Sequence, residues 1–263
     1  MAADAAPKKS LGQYWLRDEV ILEAMAAAVD LTLDDTVLEI GPGLGTLTKV
    51  LTSQAKQVVA VEFDSKLAGE LGSRVRADNL EVIEQDILQF DFTTLPPGYK
   101  VAANIPYYLT SNLIRVMSET PNPPAAAALL IQKEVAERVV ARPGAMSLLS
   151  VTAQYYWQAS LGIEVPAELF TPPPKVDSQI LILKRRSSPL FPSVDAKQFF
   201  RVVKAGFSQR RKTLLNSLSA GLRLDRTQVE TICAQAGVDP KRRAQTLSLE
   251  EWHALYEALS SQT

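Results

Sequence analysis

Hydrophobic positions in the first two-thirds of the chain follow two alternating spacings. Short β-branched runs that read as buried strands are each followed by a longer segment with apolar residues at helical spacing. Residues 19–29 predict an amphipathic helix. Val37-Leu38-Glu39-Ile40 predicts a strand ending in Gly41-Pro42-Gly43-Leu44-Gly45, with a helix following to about Ser53. Residues 58–63, 80–85, 99–103 and 127–132 predict four more strands, with helices over 65–74 and 111–119. Ile180-Leu181-Ile182-Leu183 predicts a late strand behind the turn-rich Thr171-Pro172-Pro173-Pro174. Strands alternating with helices in this way imply an α/β fold, a doubly wound parallel sheet with helices on both faces.

The texture changes after Arg186. Ser187-Ser188-Pro189 with Phe191-Pro192 reads as a linker. Beyond it no strand pattern remains, and helices are predicted over 196–205, 210–220, 227–236 and 249–259. Ser248 and Glu251 have the spacing of a capping box for the last. The expected organisation is an α/β domain over 1–187 and a smaller all-helical domain over 188–263.

Composition narrows the chemistry. The chain has 263 residues, 28 Lys+Arg against 29 Asp+Glu, and a formal net charge of −1. That balance hides an asymmetry: residues 1–187 hold 17 basic and 22 acidic side chains, residues 188–263 hold 11 and 7. Within 197–212 there are six basic residues and no acid, which suggests a polyanion partner for that end. One cysteine, Cys233, excludes an internal disulfide framework and a Cys-cluster zinc site. One histidine, His253, leaves little room for Ser-His-Asp hydrolysis or a multi-histidine metal site. Cys233 is expected in a helix core and His253 on an exposed helix face. No apolar run approaches the ~18 residues of a membrane span, and residues 1–10 lack the apolar core of a signal peptide. A cytoplasmic protein is the expectation.

The glycines after the first sheet strand permit a tight turn and close backbone approach to a ligand. Glu62, 21 residues beyond Gly41 at the end of the next strand, can accept from both ribose hydroxyls. Asp86 ends the third strand and can accept from an adenine amino group. All three gather at the carboxyl edge of the sheet. The G-x-G-x-G spacing departs from the dinucleotide pattern, and no P-loop lysine follows. The set suits S-adenosylmethionine, an adenosine without pyrophosphate. Asn104-Ile105-Pro106-Tyr107 ends the fourth strand. An amide oxygen and a backbone carbonyl there can take both protons of an exocyclic amine, and Tyr107 can stack on its base.

The chain resembles the ribosomal RNA adenine dimethyltransferases of the kasugamycin-sensitivity type. Matching segments are Lys9-Ser10-Leu11-Gly12-Gln13, the Glu39-to-Thr48 glycine loop, Glu62-Phe63-Asp64, Gln85-Asp86 and Asn104-Ile105-Pro106-Tyr107-Tyr108. Further matches are the run from Gln132 to Arg138, the run from Phe170 to Ser178, and Phe207-Ser208-Gln209-Arg210-Arg211-Lys212-Thr213-Leu214. The resemblance implies a class I S-adenosylmethionine-dependent methyltransferase, Rossmann-like in fold, with a helical rRNA-binding domain. It implies successive methylation of two adjacent adenosines near the 3′ end of 16S rRNA in the small ribosomal subunit, by a monomer needing no metal or membrane. Carried over, Gln13, Tyr14, Leu16, Gly41, Gly43, Glu62, Asp86 and Asn104 bind the cofactor. Asn104, Tyr107 and Phe170 are catalytic, with Phe170 as the far wall of the base slot. Lys204, Arg210, Arg211 and Lys212 are the expected RNA contacts. Tyr14-Trp15 departs from the family's Asn or His followed by Phe, so a side-chain amide contact is lost there. Glu39 is expected to anchor the loop.

Two rival readings share these elements. One is the erythromycin-resistance type of 23S rRNA adenine methyltransferase. The other is a non-catalytic assembly or transcription factor on the same fold, against which intact Glu62, Asp86 and Asn-Ile-Pro-Tyr argue.

Overall fold

The computed structural model describes residues 13–261. Residues 1–10, and residues 9–12 of the first matching segment, lie outside them. In chain order the elements are β1 (Trp15–Leu16), α1 (Glu19–Ala28), β2 (Thr36–Ile40), α2 (Thr46–Gln54), β3 (Gln57–Glu62), α3 (Ser65–Val75), β4 (Leu80–Glu84), β5 (Lys100–Asn104), α4 (Thr110–Glu119) and β6 (Ala126–Gln132). There follow α5 (Lys133–Val139), α6 (Leu148–Tyr156), β7 (Trp157–Val165), β8 (Phe170–Thr171), β9 (Ser178–Arg185), α7 (Ala196–Phe207), α8 (Leu214–Leu222), α9 (Arg226–Gln235) and α10 (Leu249–Ser260).

Two compact units result: Met1–Glu137 with Gln158–Arg185, and Arg138–Trp157 with Arg186–Thr263. A single cut at residue 187 therefore leaves out Arg138–Trp157, which groups with the second unit. The physical reason is local. Gln154 donates to the carbonyls of Val139 and Ala141 at 2.8 and 2.9 Å, and the Tyr155 ring packs on Phe199 and Phe200 at 5.1 and 5.3 Å.

In the first unit the sheet runs β4-β3-β2-β5-β6-β9-β7. Strands β2 to β6 are mutually parallel, and β9 returns antiparallel to β6. Every residue of β2 is buried, as a strand covered on both faces must be. On one face Val37, Val58, Ala102, Ala128 and Leu130 pack against Ile21, Leu22 and Met25 of α1 and Leu47 and Leu51 of α2. Their sequence neighbours point to the opposite face by the two-residue period of a strand. Asp18 caps α1 through the Ile21 N–H, and Asp64 caps α3 through Lys66 and Leu67. The chain runs outward from β2 through β3 to β4, then begins again on the other side of β2 with β5. That reversal opens a crevice at the carboxyl ends of β2 and β5, where ligands of open α/β sheets bind.

The second unit is helical. At the α7–α8 crossing, a side chain on Gly221 would meet Ala205 Cβ at 2.6 Å, so only glycine permits this approach. Ser248 and Glu251 do form a capping box on α10, and Arg242 pairs with Glu251 while donating to the Thr246 carbonyl. Two expectations need correction. Residues 210–213 are not helical: the Lys212 N–H closes a turn onto the Gln209 carbonyl, and α8 begins at Leu214. His253 is not an exposed residue: its ring stacks on Phe191 at 4.2 Å and its side chain is 22% exposed. Cys233 is fully buried, and burial pushes its thiol up to about 11.

Candidate active site

The loop after β2 lies across the crevice. Gly41, Gly43 and Gly45 all adopt positive φ, at 67°, 57° and 80°. At Gly41 a Cβ would meet nothing within 4 Å, so its backbone faces open space. At Gly43 a Cβ would lie 2.6 Å from the Trp15 ring. Trp15 therefore serves as a core aromatic, packed with Leu44 and Leu67, and glycine at 43 makes room for it. The Thr46 hydroxyl donates to the Leu16 carbonyl at 2.8 Å, which fixes β1 beside the loop.

Three carboxylates line the cleft: Glu39, Glu62 and Asp86. Glu62 is 6% exposed. One of its oxygens accepts from the Gly43 N–H at 3.1 Å and the other from the Asp64 N–H at 2.9 Å. Burial raises its pKa, against the lowering effect of those donors. Asp86 accepts from the Leu88 N–H at 2.9 Å, which leaves its second oxygen available. Glu39 is 1% exposed and burial pushes its carboxyl up to about 8, with the Glu62 charge acting the same way. Its Oε2 has no hydrogen-bond partner, so no loop anchor runs through that atom. Among the described residues no Lys, Arg or His lines this cleft.

The turn after β5 supplies the opposite wall. Asn104 Nδ2 donates to the Tyr14 carbonyl at 3.2 Å. An amide held by its nitrogen presents its oxygen on the other side. Tyr14 also stacks on Tyr107, ring centroids 5.6 Å apart and 26° between planes. The Tyr107 hydroxyl meets the Ser178 hydroxyl at 3.0 Å. Burial raises the Tyr107 pKa, so the phenol stays protonated at neutral pH. Residue 14 thus touches both members of the reactive turn, through its backbone and through its ring.

All eight residues expected to hold the cofactor, and Tyr107, line this one cleft. Phe170 does not: it is 3% exposed, pairs with Leu16 across β8 and β1, and belongs to the core around α1. Sequence reasoning gave no role to Ser178 itself, nor to Phe63 and Tyr108, which also line the cleft. In the second unit, Lys204 lies on α7 and Arg210, Arg211 and Lys212 occupy the exposed turn after it.

The comparisons agree with one another. The family described as ribosomal RNA adenine dimethylase matches residues 5–261. Ribosomal RNA small subunit methyltransferase A of Desulfitobacterium hafniense (strain DSM 10664 / DCB-2) is 44% identical over 259 residues, 97% of this chain and 93% of that one. Its namesake in Dehalococcoides mccartyi (strain CBDB1) is 41% identical over 252 residues, covering 94% and 87%. Among solved structures, a dimethyladenosine transferase from Plasmodium falciparum has a TM-score of 0.78 at 26% identity, covering 94% of this chain and 98% of that one. The 23S rRNA methyltransferase ErmE has a TM-score of 0.74 at 31% identity, covering 94% and 99%. The expected Rossmann-like methyltransferase fold with a helical C-terminal part is therefore the fold observed. With a glycine loop, two strand-end carboxylates and an Asn-Ile-Pro-Tyr turn around one crevice, the chain belongs to the ribosomal RNA adenine dimethylase family.

Proposed function

We propose that this enzyme transfers methyl groups from S-adenosylmethionine to the exocyclic N6 of two adjacent adenosines near the 3′ end of 16S rRNA. The observation that carries the cofactor assignment is the charge of the cleft. The strand-end carboxylates Glu62 and Asp86, with no cation among the described lining residues, disfavour a pyrophosphate and favour a ligand bearing a sulfonium and an ammonium, while burial keeps Glu39 protonated. When bound, S-adenosylmethionine supplies a methyl group already activated toward a nucleophile. The residues then divide the work. Glu62 and Asp86 hold ribose and adenine, Gly41 admits the ligand against bare backbone, and Gln13, Tyr14 and Leu16 flank its methionine end. Asn104 Oδ1, aimed by the Tyr14 carbonyl, accepts a hydrogen bond from one amine N–H, and the turn's own carbonyl accepts one from the other. Both aim the nitrogen lone pair at the methyl group. Tyr107 holds the base plane. No general base is required, because the amine proton becomes far more acidic once the nitrogen is alkylated. Phe170, expected as the far wall of the base slot, is buried in the core around α1 and is given no part in this reading.

RNA is held by the second unit. Residues 196–224 contain seven basic side chains and no acid. Among the described residues no carboxylate pairs with Lys204, Arg210, Arg211 or Lys212. Lys197, Arg201 and Lys204 share one stripe of α7 and line a groove with Ser208 and Gly221. We read this surface as the site for rRNA phosphates, and the protein as a cytoplasmic monomer acting on the small subunit. Among the described residues no helix is long and apolar enough to cross a membrane, and no His, Cys, Asp or Glu cluster of three can hold a metal.

The ErmE likeness supports a second reading, methylation of 23S rRNA. Calorimetry for S-adenosylmethionine, followed by methyl incorporation into isolated 30S and 50S subunits, separates the two. Label in 30S supports the first reading, label in 50S alone supports the second, and label in neither overturns both.

A further inference from the structure

We infer that Tyr108 is a second stacking platform, for the unpaired base next to the one held at Tyr107. The inference rests on the reading of the cleft as an adenosine methylation site, and adds a subsite to it. Among the described residues only two large aromatic side chains are strongly exposed, Phe63 at 62% and Tyr108 at 68%. Both line the same cleft. They sit on its two sides: Phe63 follows the ribose carboxylate Glu62, and Tyr108 follows Tyr107.

The backbone explains the placement of Tyr108. Tyr107–Leu109 is a 3-10 turn, in which successive side chains diverge by about 120°. Tyr107 points inward, its hydroxyl on Ser178, so Tyr108 is thrown outward to the mouth. Among the described residues its hydroxyl has no partner and no ring stacks on it. The side chain is therefore neither core nor capping residue. A bare aromatic face one residue from the target base suits the next base along the strand. Such stacking tolerates any base, because every base has a π-face. With two adjacent target adenosines, whichever one is not being methylated can rest on this ring.

Steady-state kinetics on 30S subunits test this with Tyr108→Ala, Tyr108→Phe and Tyr108→Trp. Tyr108→Ala is expected to raise KM for 30S about tenfold, within the range that base–aromatic stacking supplies, with the loss falling on KM rather than kcat. Tyr108→Phe and Tyr108→Trp should keep KM near the parent value, and S-adenosylmethionine affinity measured by calorimetry should be the same in all four proteins. An unchanged KM in Tyr108→Ala overturns the inference, as does a Trp variant as weak as Ala. A fall in kcat alone also overturns it, because the ring would then act on the chemistry. If the parent enzyme labels neither subunit, the reading of the cleft fails first, and the two failures are told apart.

Discussion

Asn104 and Tyr14 are joined by a hydrogen bond of 3.2 Å from side-chain amide to backbone carbonyl, across 90 residues of sequence. It settles which end of the amide faces the crevice. A nitrogen already spent on Tyr14 leaves the oxygen for an incoming amine. Asn104→Ala should therefore lower methyl transfer by about 10²-fold or more, the scale of lost alignment, while RNA affinity changes little. Single-turnover rates beside equilibrium binding of 30S subunits check this. Equal losses in both would assign Asn104 to holding substrate only.

Glu62 has a structural task as well as a ligand task. Its carboxylate accepts from Gly43 and Asp64, so Glu62→Ala strands two buried N–H groups, each worth about 1–3 kcal/mol. The sequence alone suggests a weakening of cofactor binding by roughly 2–3 kcal/mol with little change in folding. The structure revises the second part: the melting temperature should fall together with cofactor affinity. An unchanged melting temperature would refute the anchoring role, and unchanged affinity would refute the ribose role.

Glu39 makes stability depend on pH. Its carboxyl is raised by burial from 4.5 to about 8 in the folded chain. Between those values the folded state binds the extra proton, so this group's effect on stability worsens as pH rises through that window. Glu39→Gln removes the titration. The variant should gain on the parent by up to a few kcal/mol between about pH 5 and pH 8.5. Denaturant unfolding at both pH values measures the gain, and a constant difference between the two proteins would contradict it.

The turn after α7 carries three cations without a carboxylate partner among the described residues. Neutralising Arg210, Arg211 and Lys212 together should flatten the salt dependence of 30S binding by up to about three phosphate contacts' worth. Melting temperature and cofactor affinity should hold. A lower melting temperature with an unchanged salt slope would instead make these residues structural.

The parallel core was legible because its strands are covered on both faces, so β2, β3, β5 and β6 read as continuous apolar runs. Segments without such a signature escaped. β7 alternates poorly, with exposed Leu161 and Ile163, and Gly162 lies against Ile180, where a Cβ would meet it at 3.1 Å. α6 runs into β7 with no glycine or proline between them, so no punctuation marks the change. The helix expected from Arg210 starts four residues later, because helical propensity says nothing of the turn closed by Lys212. At the site, the glycines and carboxylates carried their own spacing. The Ser178 contact to Tyr107 did not, since 71 residues separate them and only the fold brings them together. His253 was misplaced for a related reason: its partner Phe191 lies in the linker, beyond the reach of helical periodicity.

The most direct test of the whole account is mass spectrometry of nucleosides from 30S subunits lacking these methyl groups, treated with the protein and S-adenosylmethionine. The account predicts N6,N6-dimethyladenosine, mapped to two adjacent positions near the 3′ end of 16S rRNA, and its loss with Asn104→Ala. Methylated adenosine only in 23S rRNA, or none in either rRNA despite cofactor binding, would contradict it.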